Sequence, residues 1–386
     1  MTRLEQLIQD LCPNGVEYKT IAECTKKTDK IKWSDHQNNV FQYIDLTSVD
    51  RDKHIIVETQ KINSNNAPSR AQQIVEYKDI LFGTTRPTLM RYCCIPERFD
   101  NQICSTGFCV LRANNKIVMN KWIYHNISSS KFYTYVECTQ KGASYPAISD
   151  KEVKQFKIPV PPLEVQAEIV RILDTFTELT TELTTELANR KKQYEYYRDK
   201  VLSFNSDVET LPLTEIAEIS TGSSNTNEGL AEGLYPFYVR SQEPLRKNEY
   251  EFDETAIITA GDGVGVGKVF HYVVGKYALH QRAYRIHITS PKVLPRYYFH
   301  YMRNTFLPYI QKTLFHGSVA SIRRPMLNKF PVPVPPIEEQ QRIVAILDRF
   351  DALCNDISEG LPAEIEARQK QYEYYRDKLL TFTMKE

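Results

Sequence analysis

The sequence predicts an α+β protein with an internal pseudo-twofold repeat: two mixed α/β globular heads joined by two long helices packed as an antiparallel coiled coil. Two duplications lead to this prediction. A proline-rich segment at 158–166 returns at 332–340, and the eight residues of 193–200 return letter for letter at 371–378. The proline-rich copies lie 174 residues apart (332 − 158), far beyond the unit of a solenoid, so each repeat is a domain followed by a helix.

The two repeats divide the 386 residues into four segments. The first head covers 1–157 and is followed by a spacer helix at 158–206. The second head covers 207–330 and is followed by a spacer helix at 331–386. Each head is long enough to bury its own apolar core. Their interior sequences differ widely, which indicates one scaffold that carries two different sets of loops.

Both spacer helices start after a proline pair. The backbone before a proline is extended and a proline can occupy the first helical turn, so Pro161-Pro162 and Pro335-Pro336 mark the two helix starts. Apolar residues then recur every three or four positions, which predicts a first helix roughly 60 Å long at about 1.5 Å per residue. In the second copy, a glycine and a proline interrupt the pattern and predict a kink near 358–362.

The heads contain predicted strands and one further helix. Apolar runs bounded by turn residues are typical of strands. These runs are Val40–Leu46, His54–Val57, Ile80–Phe82 and Phe108–Arg112 in the first head, and Tyr235–Arg240, Ala256–Thr259, Lys268–Val274 and Arg282–Ile288 in the second. A helix is predicted after Pro295, with a bend at Pro308.

The charge distribution favours a polyanion as the ligand of the heads. The first head holds 22 Lys and Arg against 17 Asp and Glu, a balance of +5, and the second holds 14 against 12, a balance of +2. The spacer segments are acidic, at −2 and −4. A basic domain surface is the electrostatic footprint of a nucleic-acid partner. For the second head alone, chance scatter of a few charges explains the balance equally well.

Hydropathy and cysteine spacing exclude two other classes. No run approaches the roughly 18 apolar residues of a membrane span, and the start lacks the apolar core of a signal peptide, so we expect a cytoplasmic protein. The eight cysteines form no C-x2-C pair, and no histidine pair has zinc-ligand spacing. Free thiols and the absence of a bound metal are therefore expected.

No segment matches an enzyme template. The glycine-rich run at 261–268 has Val266 where both the phosphate loop and the dinucleotide fingerprint require glycine. We interpret this run as a turn between two strands, which can bring its backbone close to a ligand. The chain also lacks the Asn/Asp-Pro-Pro-aromatic loop of a DNA amino-methyltransferase. A protein without catalytic activity and without its own cofactor is predicted.

Polar, basic and aromatic clusters at predicted loop positions are the candidate nucleic-acid contacts. Arginine can donate a fork of hydrogen bonds to guanine, Asn and Gln match adenine, and Ser and Lys bind phosphates. Taken singly, each cluster is also typical of a solvated surface; two basic heads together favour contact. The candidates are Ser69, Arg70, Gln72, Thr85, Arg86, Lys141, Ser144 and Tyr145 in the first head, and Ser223, Ser224, Asn225, Arg240, Ser241, Lys268, Gln281, Arg282, His316 and Ser318 in the second.

Motifs along nearly the whole chain resemble the specificity subunits of type I restriction–modification systems. The strongest are the twin proline-rich helix starts, ending in Glu-x-Gln, and the twin Gln-Tyr-Glu-Tyr-Tyr-Arg-Asp-Lys helix ends. The supporting segments are Leu11–Tyr18, Asn66–Ala71 and Ser105–Phe108 in the first head, and Phe252-Asp253 and Gly261–Gly263 in the second. Each motif alone is short, but their duplicated order is specific.

The resemblance implies that each head is a target recognition domain that reads one half of a split double-stranded DNA sequence in the major groove. The paired helices would then act as a ruler for the unread gap. They would also dock two methyltransferase subunits that carry S-adenosylmethionine and methylate adenine, joined by restriction subunits that use ATP and Mg²⁺. Two other classes remain open: a stand-alone DNA-binding regulator, and a non-catalytic scaffold whose heads bind protein or RNA.

Overall fold

The chain forms two compact units, seen in a computed structural model that describes residues 2–313, 321–356 and 359–385. The first unit comprises residues 1–184 and 364–386, and the second comprises 185–363. Each unit therefore contains one head together with parts of both spacer segments.

The first unit combines short helices with three small sheets. Its elements up to the long helix are α1 (Arg3–Leu11), β1 (Glu17–Thr20), α2 (Ile21–Cys24), β2 (Thr25–Lys26), β3 (Phe41–Ile44), β4 (Gln60–Ile62), β5 (Ala71–Val75), β6 (Ile80–Gly83), β7 (Tyr92–Cys94), β8 (Gln102–Ser105), β9 (Phe108–Ala113), α3 (Asn120–Ile127), α4 (Ser130–Thr139), α5 (Asp150–Gln155), β10 (Lys157–Val160) and α6 (Leu163–Val201). The sheets have the strand orders β2-β9-β6-β7, β4-β3-β8-β5 and β1-β10. The main core lies where α3 and α4 cover the first of these sheets, around the fully buried Phe82, Trp122 and Phe132.

The second unit is built on one larger sheet. Its elements, with the last helix of the chain, are β11 (Thr210–Pro212), β12 (Ala217–Thr221), β13 (Tyr235–Tyr238), β14 (Leu245–Lys247), β15 (Phe252–Ala260), β16 (Phe270–Leu279), β17 (Ala283–Ile288), α7 (Pro295–Thr313), α8 (Arg324–Asn328), β18 (Pro331–Pro333), α9 (Ile337–Asn355) and α10 (Leu361–Leu379). The sheet order is β12-β17-β15-β16-β13-β14, and β11 pairs with β18. Helix α7 packs against β15 and β16, with Tyr297, Tyr298 and Phe306 fully buried.

The predicted fold class is confirmed, with one error among the strands. Helix α6 runs for 39 residues without a break. The kink predicted near 358–362 falls between α9 and α10, and residues 357 and 358 lie outside the described part of the chain. The strand predicted at His54–Val57 was wrong, because His54 adopts a left-handed φ of 54° and only Ile56 makes a bridge, to Val49. Within the described ranges, no helix combines the length and apolarity needed to cross a bilayer.

A buried glutamine explains why each proline-rich helix start ends in Glu-x-Gln. In the first unit, Gln166 accepts a hydrogen bond from the Met119 N–H (3.0 Å) and donates to the carbonyls of Ile117 (3.0 Å) and Pro161 (2.8 Å). The side chain is fully buried. It therefore fastens the start of α6 to the loop that precedes α3.

Gln340 repeats this arrangement in the second unit. It accepts from the Leu294 N–H (2.8 Å) and donates to the carbonyls of Lys292 and Pro335 (2.8 Å each). Like Gln166, it is fully buried. The duplicated motif is thus a duplicated clamp between a head helix and a spacer helix.

The identical helix ends also play equivalent roles. In the first unit, Tyr375 of α10 stacks on Phe176 of α6, with ring centroids 5.6 Å apart. In the second unit, Tyr197 of α6 stacks on Phe350 of α9 at 5.8 Å. Each unit therefore joins the helix start of one repeat to the helix end of the other repeat.

Within the second unit, the packed helices run antiparallel. Tyr194 and Tyr197 of α6 lie against Phe350, whereas Arg190, earlier in α6, lies near Cys354, later in α9. Residue numbers therefore increase along α6 in the direction in which they decrease along α9, as predicted for an antiparallel spacer.

The lowered pKa values of several histidines, His54, His125 and His300 among them, predict that the protein is less stable in acid. Burial lowers the pKa of His54 to about 4, and burial also lowers the pKa values of His125 and His300 against the opposing effect of Asp174 and Asp348. In an unfolded chain a histidine titrates near 6.5. Below pH 6.5 the unfolded state therefore binds protons that the folded state does not. Stability is retained above pH 6.5. For His54 it falls as the pH drops toward about 4, by up to about 1.4 kcal/mol per pH unit, and His125 and His300 add losses in the same direction.

Urea unfolding at several pH values between 7.5 and 4.5 checks this expectation. His54→Phe keeps the stacking position against Tyr92, where the rings lie 3.8 Å apart, and should flatten the pH dependence. The half-buried His36→Phe is the matched control. An equal slope in wild type and His54→Phe would show that His54 does not contribute to acid sensitivity.

Candidate nucleic-acid interface

The predicted loop clusters of the first head lie side by side. The Thr106 N–H donates to the Arg70 carbonyl (2.9 Å), which joins the segment before β5 to the turn between β8 and β9. In the same turn, the Gly107 carbonyl accepts from the N–H of Thr84 (2.8 Å), directly before Thr85 and Arg86. Backbone hydrogen bonds between distant parts of the sequence therefore place two of the clusters on one edge of the head.

The third cluster of the first head adjoins the same edge. Lys141 and Thr85 each form an antiparallel bridge to Ala147. The Arg86 N–H donates to the Pro146 carbonyl (2.7 Å), and its guanidinium lies 5.2 Å from the ring centroid of Tyr145. Tyr145 is 73% exposed, so this cation–π pair stands at the surface. Arg86 also adopts a left-handed φ of 48°, a strained backbone state that is frequent at functional sites.

Ser69 and Gln72 line a small open cavity of about 320 Å³ in the first head. The Gln72 amide donates to the Ser69 carbonyl (2.7 Å), so part of its hydrogen-bonding capacity is used locally. Lys30 and Ser64 share the cavity and were not among the predicted contacts. Lys30 lies in a basic stretch at 26–32 and Ser64 in a polar run at 63–66, and these stretches were the signal that could have identified them. Ser144 and Lys141 are exposed in the neighbouring loop.

Two predicted arginines of the second head converge on one carboxylate. Arg240 Nη1 lies 2.6 Å from Asp262 Oδ1, and Arg282 Nη1 lies 3.1 Å from Asp262 Oδ2. Burial would raise the pKa of Asp262, but the hydrogen bonds and charges of the two guanidinium groups lower it. Asp262 therefore holds both arginines as an anion. It belongs to the glycine-rich run that the sequence predicts as a turn able to bring its backbone close to a ligand, although Asp262 itself was not among the predicted contacts.

The glycines of that run permit close contact with both arginine loops. A Cβ on Gly261 would lie 2.7 Å from the Arg282 carbonyl oxygen, and one on Gly265 would lie 2.5 Å from the Arg240 carbonyl oxygen. Such approaches exclude any side chain. The run therefore packs closely against both loops and places Asp262 within hydrogen-bond distance of the two arginines. This close packing accounts for the glycines without a phosphate-binding role.

The loop that follows β12 pairs with the segment that carries Gln281 and Arg282, through the Ser224 bridge to His280. Ser224 is only 3% exposed; its hydroxyl donates to Glu251 (2.5 Å) and accepts from Lys247 (2.9 Å), which favours a structural role. Asn225 is exposed and accepts a hydrogen bond from the Gln281 amide. A groove of about 500 Å³ is lined by Asn225, Thr226, Asn227, Arg240, His280, Gln281 and Arg282.

Three further predicted positions of the second head lie among the described residues. Ser223 and Lys268 are exposed, and the Ser241 hydroxyl donates to the Glu243 carbonyl (2.7 Å). His316 and Ser318 lie outside the described residues. Sequence reasoning also missed the exposed Arg323 and Arg324, which follow the Ser321 bridge to Asp262. Their adjacency before Pro325 was the signal that could have identified them.

Comparisons with known proteins agree with this architecture. The chain is 40% identical over 264 residues to the type I restriction enzyme EcoR124I/EcoR124II specificity subunit of Escherichia coli, an alignment that covers 61% of this chain and 65% of that protein. The chain thus spans slightly less than two thirds of this relative.

Solved structures share the fold at lower identity. A chain from work on complex assembly and conformational transition of the type I R-M system matches with a TM-score of 0.66 and 24% identity, covering 96% of this chain and 98% of that chain. The HsdS subunit from Thermoanaerobacter tengcongensis matches with a TM-score of 0.52 and 22% identity, covering 96% and 97%.

The family model described as the type I restriction modification DNA specificity domain matches the chain twice, at residues 14–192 and 205–367. These two matches include all of the second head, the first head from residue 14 onward, and most of both spacer segments. The chain therefore belongs to the type I restriction modification DNA specificity family.

Proposed function

We propose that this chain is the sequence-specific DNA-recognition subunit of a type I restriction–modification complex, and that it has no catalytic activity of its own. The observation that carries the proposal is the double match to a DNA specificity domain, one for each repeat. The exposed arginine and amide clusters in each head support it, because these groups bind base edges and phosphates.

Each head reads one half-site of a bipartite duplex target. The loops that surround Arg70 and Arg86 in the first head differ from the groove around Asp262 in the second, so the two half-sites differ in sequence. The spacer helices fix the distance between the heads. Half-sites read from one face of the duplex are separated by roughly one helical turn or somewhat more, centre to centre.

Two methyltransferase subunits dock on the spacer helices, and restriction subunits join the complex. The duplicated helix ends support two copies of one partner, because Tyr196 and Tyr374 occupy equivalent positions and are each 62% exposed. S-adenosylmethionine, ATP and Mg²⁺ belong to these partners, which methylate one adenine per half-site. The complex acts on DNA in the cytoplasm.

Methylome sequencing tests this function directly. A methylation-free host receives either the cognate methyltransferase alone or the methyltransferase together with this chain. Adenine methylation at one bipartite motif is expected only in the second host. A complex that co-purifies but adds no methylation would contradict the proposal. Salt-sensitive duplex binding by the isolated chain would then indicate a regulator, and no duplex binding would indicate a scaffold.

A further inference from the structure

Hydrogen bonds hold the segment that carries Arg282 in the second head in the absence of any ligand. The Arg282 N–H donates to His280 Nδ1 (3.0 Å), and His280 itself is buried. The backbone N–H groups of His280 and Gln281 donate to the carbonyls of Tyr238 and Ser224 (2.9 Å each). Three backbone hydrogen bonds therefore fix the short segment that carries Gln281 and Arg282.

Asp262 fixes the side chains as well as the loops. The Arg282 side chain is 62% exposed and that of Arg240 is 40% exposed, yet each donates to a different oxygen of Asp262. An exposed arginine without such a partner samples many rotamers, and ordering it on binding costs affinity. A guanidinium has five N–H donors, and only one nitrogen of each contacts the carboxylate. The other donors of Arg282 are held ready at the groove.

This geometry suits a base edge better than a phosphate. The triad of two arginines and one aspartate carries a net charge of +1, so the carboxylate cancels half of the attraction for a phosphate. A carboxylate partner lowers the net charge of the site but fixes the orientation of the planar guanidinium. Such a partner favours a ligand that is recognised by the direction of its hydrogen bonds over one that is recognised by its charge. Guanine presents O6 and N7 side by side in the major groove, and an arginine fork matches both acceptors.

We propose that Arg282 reads a guanine in the half-site of the second head and that Asp262 positions its guanidinium. This inference rests on the proposed DNA-recognition function. Arg240, on the other loop, donates to the second oxygen of the Asp262 carboxylate and helps to hold that carboxylate in place. The Gln281 amide beside it, fixed by Asn225, is placed to contact the neighbouring base pair.

The test uses the complete complex with the methyltransferase and duplexes that carry the methylated motif. Each guanine in the motif is replaced singly by 7-deazaguanine, which lacks the N7 acceptor, and the dissociation constant is measured at fixed salt. At one guanine of one half-site, the replacement should weaken wild-type binding by about 10-fold. Arg282→Ala should weaken binding to the unmodified duplex. In this variant, 7-deazaguanine at that one guanine should cause no additional loss of affinity, while its effects at the other guanines should be unchanged.

Three more variants separate base reading from general attraction. Asp262→Asn should reduce the 7-deazaguanine effect at the same position, as expected for a positioning residue. Arg282→Lys should restore the salt dependence of wild type without restoring discrimination at that guanine. Arg303→Ala, which removes a comparable ion pair to Asp351 (2.9 Å) on α7, is the matched control and should change neither quantity.

Two results would overturn the inference. One is that no 7-deazaguanine replacement weakens the binding of the wild-type complex more than that of the Arg282→Ala complex. The other is that Arg282→Ala weakens binding to every duplex by the same factor and reduces the dependence of the affinity on salt concentration. That result is expected of a residue that contacts a phosphate. A failure of the DNA-recognition proposal itself is distinguishable, because then no methylated motif appears at all.

Discussion

Replacing either buried glutamine by leucine is expected to lower the free energy of unfolding by about 3–5 kcal/mol, one of the largest single-residue effects in this chain. Gln166→Leu leaves the Met119 N–H and the Ile117 and Pro161 carbonyls without the partner that the fully buried Gln166 side chain provides. Each buried polar group that loses its hydrogen bond costs about 1–3 kcal/mol. Leucine has nearly the right volume but can repair none of these bonds.

Gln340→Leu should cost as much, because its three partners are equivalent. The two sites share no partners, so the losses should add in the double variant. Urea unfolding followed by circular dichroism measures both. Gln193→Leu is the matched control, since Gln193 is exposed on α6 and should change stability by no more than about 0.5 kcal/mol. A loss below about 1 kcal/mol in Gln166→Leu would mean that the clamp does not hold the helix start.

The duplicated elements were predictable because each copy makes the same contacts. The proline pair, the helical spacing and the glutamine recur in sequence, and all three recur in the structure. The pairing of each helix end with the helix start of the other repeat follows from the predicted antiparallel packing, because a continuous helix such as α6 cannot fold back on its own start. The individual contacts, Tyr375 on Phe176 and Tyr197 on Phe350, were not predictable, since they depend on the register of the two helices.

Two buried histidines illustrate a second limit. His125 lies 3.2 Å from Asp174 and His300 lies 2.7 Å from Asp348, so the two pairs join a head helix to a spacer helix in the same way. The sequence analysis made no prediction for either histidine. Only the matching separation of about 175 residues marks them as equivalent, and the sequence around them has diverged.

The candidate sites were predicted as residue types but not as an arrangement. The side-by-side placement of the loops around Arg70, Arg86 and Lys141 depends on hydrogen bonds between segments far apart in sequence. Local patterns carry no information about such pairings. Asp262 was missed for a related reason, because its importance lies in the two arginines that the fold brings to it.

Replacing Arg70 and Arg86 together by alanine should weaken binding of the full bipartite target on the order of 100-fold, since an arginine that contacts a base or phosphate contributes about 1–3 kcal/mol. Neither arginine side chain is part of the core, so the complex should still assemble. The Arg86 side chain is held against the exposed Tyr145 ring, and the backbone of Arg70 is tied to Thr106. Both guanidinium groups are thus presented by ordered loops, and losing them removes contacts that need little reorganisation.

The decisive readout is which half-site loses its influence. Binding is measured at fixed salt with the full target and with targets in which one half-site is scrambled. If the two arginines read the half-site of the first head, scrambling that half-site weakens wild type but adds nothing to the double variant, while scrambling the other half-site still weakens both. Arg171→Ala, an exposed partner of Glu168 on α6, is the matched control and should behave as wild type. A double variant that still discriminates both half-sites would remove these residues from the interface and leave the cavity around Lys30 and Gln72 as the reading surface of the first head.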